Sequence, residues 1–191
     1  MPHGLALVMN YKLKRLALEH NLTIPEPPPI PLAPRPSAPV ILEGFATTAG
    51  DIDLARTRLA PQAFGILPKS VPLLFHHDDD RIAGEILSLD YTPNGSVWVK
   101  CRVDNLEAAR CGGFSIAAEI QEFHIIDGDD FHAIVTKAEL MEVSLTDRPC
   151  NVEAVVKERY TQPHLDFYDL MGKKVQLLQQ LVVKMKEEQT A

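Results

Sequence analysis

The sequence lacks any lysine- or arginine-rich run, and its formal net charge is −7. A protein that holds DNA or RNA through phosphate groups normally carries a basic patch, so direct nucleic-acid binding is not expected. The chain also lacks a CxxC pair, because its three cysteines lie far apart at Cys101, Cys111 and Cys150. An odd number of scattered cysteines favours a reducing compartment over a disulfide-bonded secreted fold.

Long apolar runs are missing as well. The stretch "LALVM" near the N-terminus is too short for the core of a secretory signal and has no basic flank. No stretch approaches the roughly 20 apolar residues that a membrane-spanning helix needs. Together with the cysteine pattern, these absences predict a cytoplasmic protein with no membrane partner.

The composition that remains is that of a globular protein, with 46% hydrophobic and 24% charged residues in a chain of 191. Eight prolines lie within residues 25–39, which predicts an extended, polyproline-like arm. We expect residues 1–39 to form a short N-terminal helix and this arm, partly flexible, and residues 40–160 to form the core domain. Residues 161–191 contain apolar side chains with 4-3-4-3 spacing, which predicts a C-terminal amphipathic helix.

Short apolar runs separated by turn signals begin at Val40 and predict a compact β domain. The segment "VILEGFAT" predicts the first strand, and the pair Asn94-Gly95 predicts a hairpin between two antiparallel strands. In "SVWVKCRV", strict alternation of apolar side chains predicts one buried face. After it, Asp104 followed by Glu107 predicts a capping box that starts one or two helical turns.

Two later strands are predicted to carry polar residues on one face. In "FSIAAEI", alternation places Ser115 on the polar face. In "ELMEVSLTD", Met141 is predicted on the apolar face, and Leu140, Glu142 and Ser144 are predicted on the other. Glu142 and Ser144 are therefore expected to point in the same direction.

The stretch "LLFHHDDDRIAGEI" runs from an apolar strand into two histidines and three aspartates. On a strand, His76 and His77 would point to opposite faces, so at most one of them could share a metal ion with a loop aspartate. Asp79 and Asp80 fit a solvated acidic turn. An imidazole at the end of a strand, beside the carboxylate of Asp78, also fits a general base that accepts a proton from a neighbouring hydroxyl.

A hydroxyl, an imidazole and a carboxylate are the groups of acyl-transfer catalysis, and geometry rather than chain order identifies them. On spacing alone, Ser115, His77 and Glu142 are one candidate set, and ordinary surface residues are the alternative. Ser144 is a second candidate nucleophile, unless it is a buried hydroxyl bonded to a neighbouring strand. Cys111 allows a Cys/His arrangement, unless it is a small core residue.

Four stretches resemble the prohead (capsid maturation) protease family of tailed phages in their wording, order and spacing: "LEGFATTAGDIDLARTRLAPQAFG", "LLFHHDDDRIAGEI", "GGFSIAAEI" and "LMEVSLTDRPCNVEAVV". The resemblance covers the chain from about Val40 to Val156. The family's fold is similar to that of the assemblin proteases of herpesviruses. The resemblance therefore implies a mainly β fold with flanking helices, built as a six- or seven-stranded antiparallel β-barrel with outer helices.

By this resemblance the catalytic base maps onto His77, in a pattern that continues with Asp78 and Gly84. The nucleophile maps onto Ser115, which Ile follows as in the family. The acidic third member maps onto Glu142.

The resemblance also implies a substrate and oxyanion region that includes Arg148, in the loop after the strand of the third member, and Ile116. The chain departs from the family at Ala117, where glycine is usual. The segment between "CRV" and "FSIA" is also shorter than usual, which would reshape the substrate cleft.

The function implied is that of a serine endopeptidase with a Ser-His-Glu triad and no cofactor or metal. Its substrates would be the scaffold, the major capsid protein and its own chain during prohead maturation. It would act in the cytoplasm of a bacterial host and inside the immature phage head, as a homodimer or higher oligomer. Two alternatives stay open: a catalytically silent capsid assembly protein on the same barrel, and a metal-dependent hydrolase built around His77 and Asp78.

Overall fold

The structure, a computed structural model, describes residues 25–127 and 131–161. Within these ranges the chain forms one eight-stranded β-sheet and a 3₁₀ turn at Ala108–Arg110. The strands are β1 (Val40–Thr47), β2 (Thr57–Leu59), β3 (Leu73–Phe75), β4 (Asp78–Tyr91), β5 (Val97–Val103), β6 (Gly113–Ile126), β7 (His132–Thr146) and β8 (Val156–Thr161).

The long strand β7 organises the sheet. Along one edge it pairs with two short parallel strands, with β2 at residues 133–135 and with β3 at residues 143–145. Along the other edge it pairs with β6 as an antiparallel hairpin. The remaining strands continue from β3 in the order β4, β5, β1, β8. As a result, the C-terminal part of β7 lies between the end of β3 and the beginning of β6.

The predicted antiparallel barrel with outer helices is wrong. The sheet is mixed, because β2 and β3 both run parallel to β7. It is also open, since the strand order runs from β2 to β8 and no pairing among the described residues joins these two ends. No α-helix occurs in residues 25–127 and 131–161. Apolar periodicity reports which face of a strand is buried and not which edges pair, so the sequence pattern did not determine closure.

The predicted N-terminal helix lies outside the described residues. So does the helix predicted for residues 161–191, apart from Thr161, which is the last residue of β8. Contacts divide the chain into a first unit, Met1–Arg159, and a second unit that starts at Tyr160. Every residue of the candidate site described below belongs to the first unit.

Alternation in β5 is confirmed. The side chains of Val97, Val99, Cys101 and Val103 are at most 1% exposed, and the three residues between them are partly exposed. β1 has the predicted bounds and pairs with β5 in antiparallel register. These two strands form much of the hydrophobic core.

The predicted Asn94-Gly95 hairpin is also confirmed, since β4 and β5 are antiparallel neighbours joined at this point. The backbone N–H of Thr92 donates to the carbonyl of Ser96 at 2.9 Å, so three residues form the loop. Gly95 takes φ 83°, the left-handed conformation that closes such a loop.

Gly84, which the family resemblance singles out, lies in β4 against β5. A Cβ at this position would lie 2.0 Å from the carbonyl oxygen of Arg102. The glycine therefore allows two strands to approach closely, and its role is in packing.

The capping box predicted at Asp104 differs from the structure. The side-chain oxygen of Asn105 accepts hydrogen bonds from the backbone N–H groups of Glu107 and Ala108, at 3.0 and 3.2 Å. The helical segment that follows is only the 3₁₀ turn at Ala108–Arg110. The neighbouring asparagine thus fills the role expected of the aspartate.

Alternation in β6 places Phe114 in the core and Ile116, Ala118 and Ile120 partly buried against it, as predicted. On the other face, however, Ser115 and Ala117 are buried as well. In β7 the alternation is interrupted, because Ala117 pairs with Glu142 and Ala118 with Leu140, which leaves Met141 as an extra residue in a β-bulge. Leu140 is therefore buried and Met141 is 49% exposed, the reverse of the prediction for both. Beyond the bulge, the expected common face of Glu142 and Ser144 is retained.

Candidate active site

His76 and His77 form the two-residue turn between β3 and β4. Phe75 pairs with Asp78, and the two histidines between them have φ values of 57° and 56°. Positive φ at both central residues defines a type I′ hairpin turn, which normally takes asparagine and glycine. The prediction that the histidines extend from opposite faces of a strand is therefore wrong. A left-handed conformation costs about 1–2 kcal/mol for a residue with a Cβ, so neighbouring contacts must hold this turn.

Those contacts come from β7. The backbone N–H of His76 donates to the carbonyl of Leu145 at 3.0 Å. The backbone N–H of His77 donates to the hydroxyl oxygen of Ser144, also at 3.0 Å. Because β3 runs parallel to β7 in this region, the turn at its end lies directly beside Ser144.

The His77 ring forms a short hydrogen bond with the carboxylate of Glu142. Its Nδ1 lies 2.5 Å from Oε1 of Glu142, and the hydroxyl of Ser144 donates to Oε2 at 2.7 Å. Both carboxylate oxygens are thus occupied, and the side chain of Glu142 is only 9% exposed. A carboxylate facing Nδ1 places the proton on that nitrogen, so Nε2 carries the lone pair of a general base.

Ser115 lies on β6, which pairs with β7 along the edge opposite to β3. It is paired with Ser144 in the β6–β7 register, and Ala117 is paired with Glu142. Directly opposed residues on antiparallel strands share a face, with Cβ atoms about 4.5–5.5 Å apart. The Ser115 hydroxyl therefore points to the same face as the His77–Glu142–Ser144 network. Among the described residues it forms no hydrogen bond, and the residue is 8% exposed.

The structure thus brings the three predicted triad residues to one face of three adjacent elements. β6 carries Ser115, β7 carries Glu142, and the turn after β3 carries His77. Asp78, expected beside the imidazole, instead accepts a hydrogen bond from the backbone of Asp80. The carboxylate that contacts the ring is 65 residues away in sequence.

Ser144 connects His77 to Glu142. The alternative of a buried hydroxyl bonded to a neighbouring strand fits this position, but the bond to Glu142 was not predicted. The Ser144 side chain is fully buried, its proton is donated to Glu142, and its oxygen accepts the backbone N–H of His77. A hydroxyl already used in this way is a poor nucleophile compared with Ser115. The signal was present in the sequence, because Glu142 and Ser144 are two residues apart on one strand face.

His76 belongs to the turn and not to the network. Its ring packs on Phe75, and its Nδ1 lies 3.2 Å from the hydroxyl of Thr146. Burial lowers the pKa of His76, and the nearby carboxylate of Asp147 partly offsets this effect.

Arg148 and Ile116, the predicted substrate and oxyanion residues, lie apart from the network. The guanidinium of Arg148 pairs with Glu26 of the arm. Ile116 lies on the opposite face of β6 from Ser115, packed against the core. Both Ile116 and Ser115 line a cavity of about 70 Å³, which Asp53 also borders. Their roles in catalysis remain predictions.

Cys111 is unsuited to nucleophilic chemistry. Its side chain is fully buried, and burial raises the pKa of its thiol to about 12. The thiolate is the reactive form of cysteine, so at neutral pH this group stays protonated and inert. The expectation of a small core residue fits the structure.

In residues 25–127 and 131–161 no group of three or more histidine, cysteine, aspartate or glutamate side chains is arranged to hold a metal ion. Asp79 and Asp80 are exposed at the start of β4, in agreement with the expectation that they are solvated.

Comparison with protein-family models and with curated protein sequences finds no match for this chain. Within the described residues, no helix has the length and apolar character needed to cross a membrane.

Proposed function

We propose that the protein is a serine endopeptidase whose catalytic groups are Ser115, His77 and Glu142. The observation that supports this most strongly is the short contact of 2.5 Å between the His77 ring and the carboxylate of Glu142. Nδ1 is bonded to Glu142, and the serine paired with Ser144 faces the same network. A serine, a histidine base and an acid that orients the base are the elements of serine peptidase chemistry.

In the proposed mechanism, Nε2 of His77 takes the proton of Ser115 as Oγ attacks the carbonyl carbon of a peptide bond. Glu142 stabilises the imidazolium that forms. Collapse of the tetrahedral intermediate breaks the C–N bond, and His77 gives its proton to the leaving amine. Water, deprotonated by His77, then hydrolyses the acyl-enzyme and regenerates Ser115.

The proposed substrates follow from the resemblance to the prohead proteases. They are the scaffold and the major capsid protein inside an immature phage head in a bacterial host, together with the protein's own chain. Assembly as a homodimer or higher oligomer belongs to the same proposal.

One observation favours a second candidate, a catalytically silent capsid assembly protein. Ser115 is only 8% exposed, so little of its surface is accessible to a peptide in this conformation. The metal-dependent alternative receives no such support, since the described residues contain no ligand cluster.

The test is co-expression of the cognate capsid and scaffold polypeptides with wild-type protein, with Ser115→Ala, or with Ser70→Ala as an exposed-serine control. The peptidase proposal expects processing by the wild type and Ser70→Ala, none by Ser115→Ala, and no effect of EDTA. Processing that survives Ser115→Ala would refute the proposed nucleophile. Absence of processing by every form would favour the silent protein.

A further inference from the structure

The proline-rich arm packs along the end of the strand pair that carries the candidate site. The backbone N–H of Ile30 donates to the carbonyl of Asp147 at 2.6 Å, and that of Ala33 donates to the carbonyl of Arg110 at 2.8 Å. The side chain of Arg110 donates back to the carbonyl of Ala33 at 3.1 Å. Proline has no N–H, so the arm offers few backbone donors, and two of them are used here.

Side chains of the arm also contact residues 110–112 and 147–148, which together are called the strip below. Glu26 pairs with Arg148, and Pro27 is buried. The side chain of Ile30 lies over Gly112, where a Cβ would come within 2.5 Å of it. The strip thus offers a cation at Arg148, backbone acceptors at Asp147 and Arg110, and space for a side chain over Gly112.

The strip lies close to Ser115 along the strands. Gly112 precedes Ser115 by three residues, and Asp147 follows Ser144 by three. Strands rise by about 3.3 Å per residue, so the arm crosses roughly 10 Å from the candidate nucleophile. A peptide bound in extended form with its scissile bond at Ser115 would cover this distance with three residues.

We propose that the strip from Arg110 to Gly112 and from Asp147 to Arg148 binds the residues that flank the scissile bond of a substrate, and that the arm occupies it in the free protein. This inference rests on the proposed function. The strip takes an extended segment with an acidic residue at the position of Glu26 and an aliphatic residue four positions later. The arm therefore competes with substrate for the site.

The test compares two arm variants of the full chain, Ile30→Asp and Leu32→Asp. Ile30 contacts the strip, whereas Leu32 is 47% exposed and serves as the matched control. Each is combined with Ser115→Cys, and the rate of alkylation of the introduced thiol is measured with a peptidyl chloromethyl ketone that carries an acidic residue and an aliphatic residue four positions later. This reagent reaches the thiol productively only when the strip is free to bind its peptide part. The native thiols do not interfere, because burial raises their pKa to about 12.

We expect Ile30→Asp to raise the alkylation rate about tenfold, which corresponds to weakening the docked state by about 1.4 kcal/mol. Leu32→Asp should leave the rate unchanged. Equal rates in the two variants would overturn the inference. Alkylation does not require peptide hydrolysis, so a faster rate in a protein that never cleaves substrate would retain arm docking and refute only the peptidase proposal.

A charge exchange provides a second measurement. Glu26→Arg should raise the alkylation rate, and adding Arg148→Glu should restore it, because the ion pair is re-formed with reversed polarity. Failure of the double variant to restore the slow rate would contradict docking through this pair.

Discussion

The change Ser144→Ala tests the network around the candidate base. The Ser144 hydroxyl accepts the N–H of His77 at 3.0 Å and donates to Glu142 at 2.7 Å, in a fully buried position. Its removal leaves both groups without that partner. Each buried polar group left unpaired costs about 1–3 kcal/mol, so for two groups we expect the free energy of unfolding to fall by about 2–6 kcal/mol.

The assay is thermal and urea unfolding followed by circular dichroism, with Ser115→Ala as the control. For a chain of this size, a loss of this magnitude lowers Tm by about 4–24 °C. Ser115→Ala should leave Tm almost unchanged, because its hydroxyl forms no hydrogen bond among the described residues. Activity should show the opposite order, with a loss of about 10- to 100-fold in Ser144→Ala through misplacement of His77 and complete loss in Ser115→Ala. Equal stability of Ser144→Ala and wild type would refute the network.

Three further predictions follow from the same structure. His76→Asn should retain substrate hydrolysis and match or exceed wild-type Tm, since asparagine suits a type I′ turn, whereas His77→Asn should abolish hydrolysis. Gly84→Ala should lower the free energy of unfolding by at least about 2 kcal/mol in urea titrations, because its Cβ would clash with a carbonyl oxygen of β5. Burial raises the pKa of Asp53 above 3.8, so the folded protein binds this proton more tightly than the unfolded chain. Wild-type stability therefore falls as pH rises from the pKa of Asp53 in the unfolded chain to its higher pKa in the folded protein. The stability advantage of Asp53→Asn over wild type should therefore grow as pH rises through that interval, and a constant difference would contradict the burial argument.

Strand positions were predictable where a simple alternation held. The apolar positions of β5 follow a period of two without interruption, and all four are buried. In β7 the same reasoning failed at Leu140 and Met141, because a bulge adds one residue and reverses the alternation on its N-terminal side. Nothing in the local composition marks that bulge, since both residues are apolar.

The turn that presents the candidate base was not predictable from its residue types. Type I′ turns usually show asparagine and glycine, and His76-His77 has neither. Contacts from β7 to both backbone N–H groups hold the histidines in the left-handed conformation. These tertiary contacts join residues about 70 positions apart, so the residue types around His76 and His77 do not predict them.

The set of candidate residues was predicted, but the hydrogen bonds through Ser144 that connect His77 and Glu142 were not. Polar residues on β6 and β7 were expected to share faces, and this places Ser115 beside Ser144. Asp78, which was expected beside the imidazole, instead accepts a hydrogen bond from the backbone of Asp80. The family resemblance implied Glu142 as the acid of the triad, and in the structure its carboxylate contacts the His77 ring. The parallel pairing of β3 with β7 creates that contact, and no local pattern specified it.

The most direct test of the central claim is covalent labelling with a fluorophosphonate, which bonds to an activated serine oxygen with loss of fluoride. Mass spectrometry of the digested wild-type protein should find the adduct on the peptide that contains Ser115. The adduct should be absent from His77→Ala, provided that circular dichroism shows this variant to be folded. An unlabelled Ser115 in folded wild-type protein, or equal labelling in His77→Ala, would contradict the account.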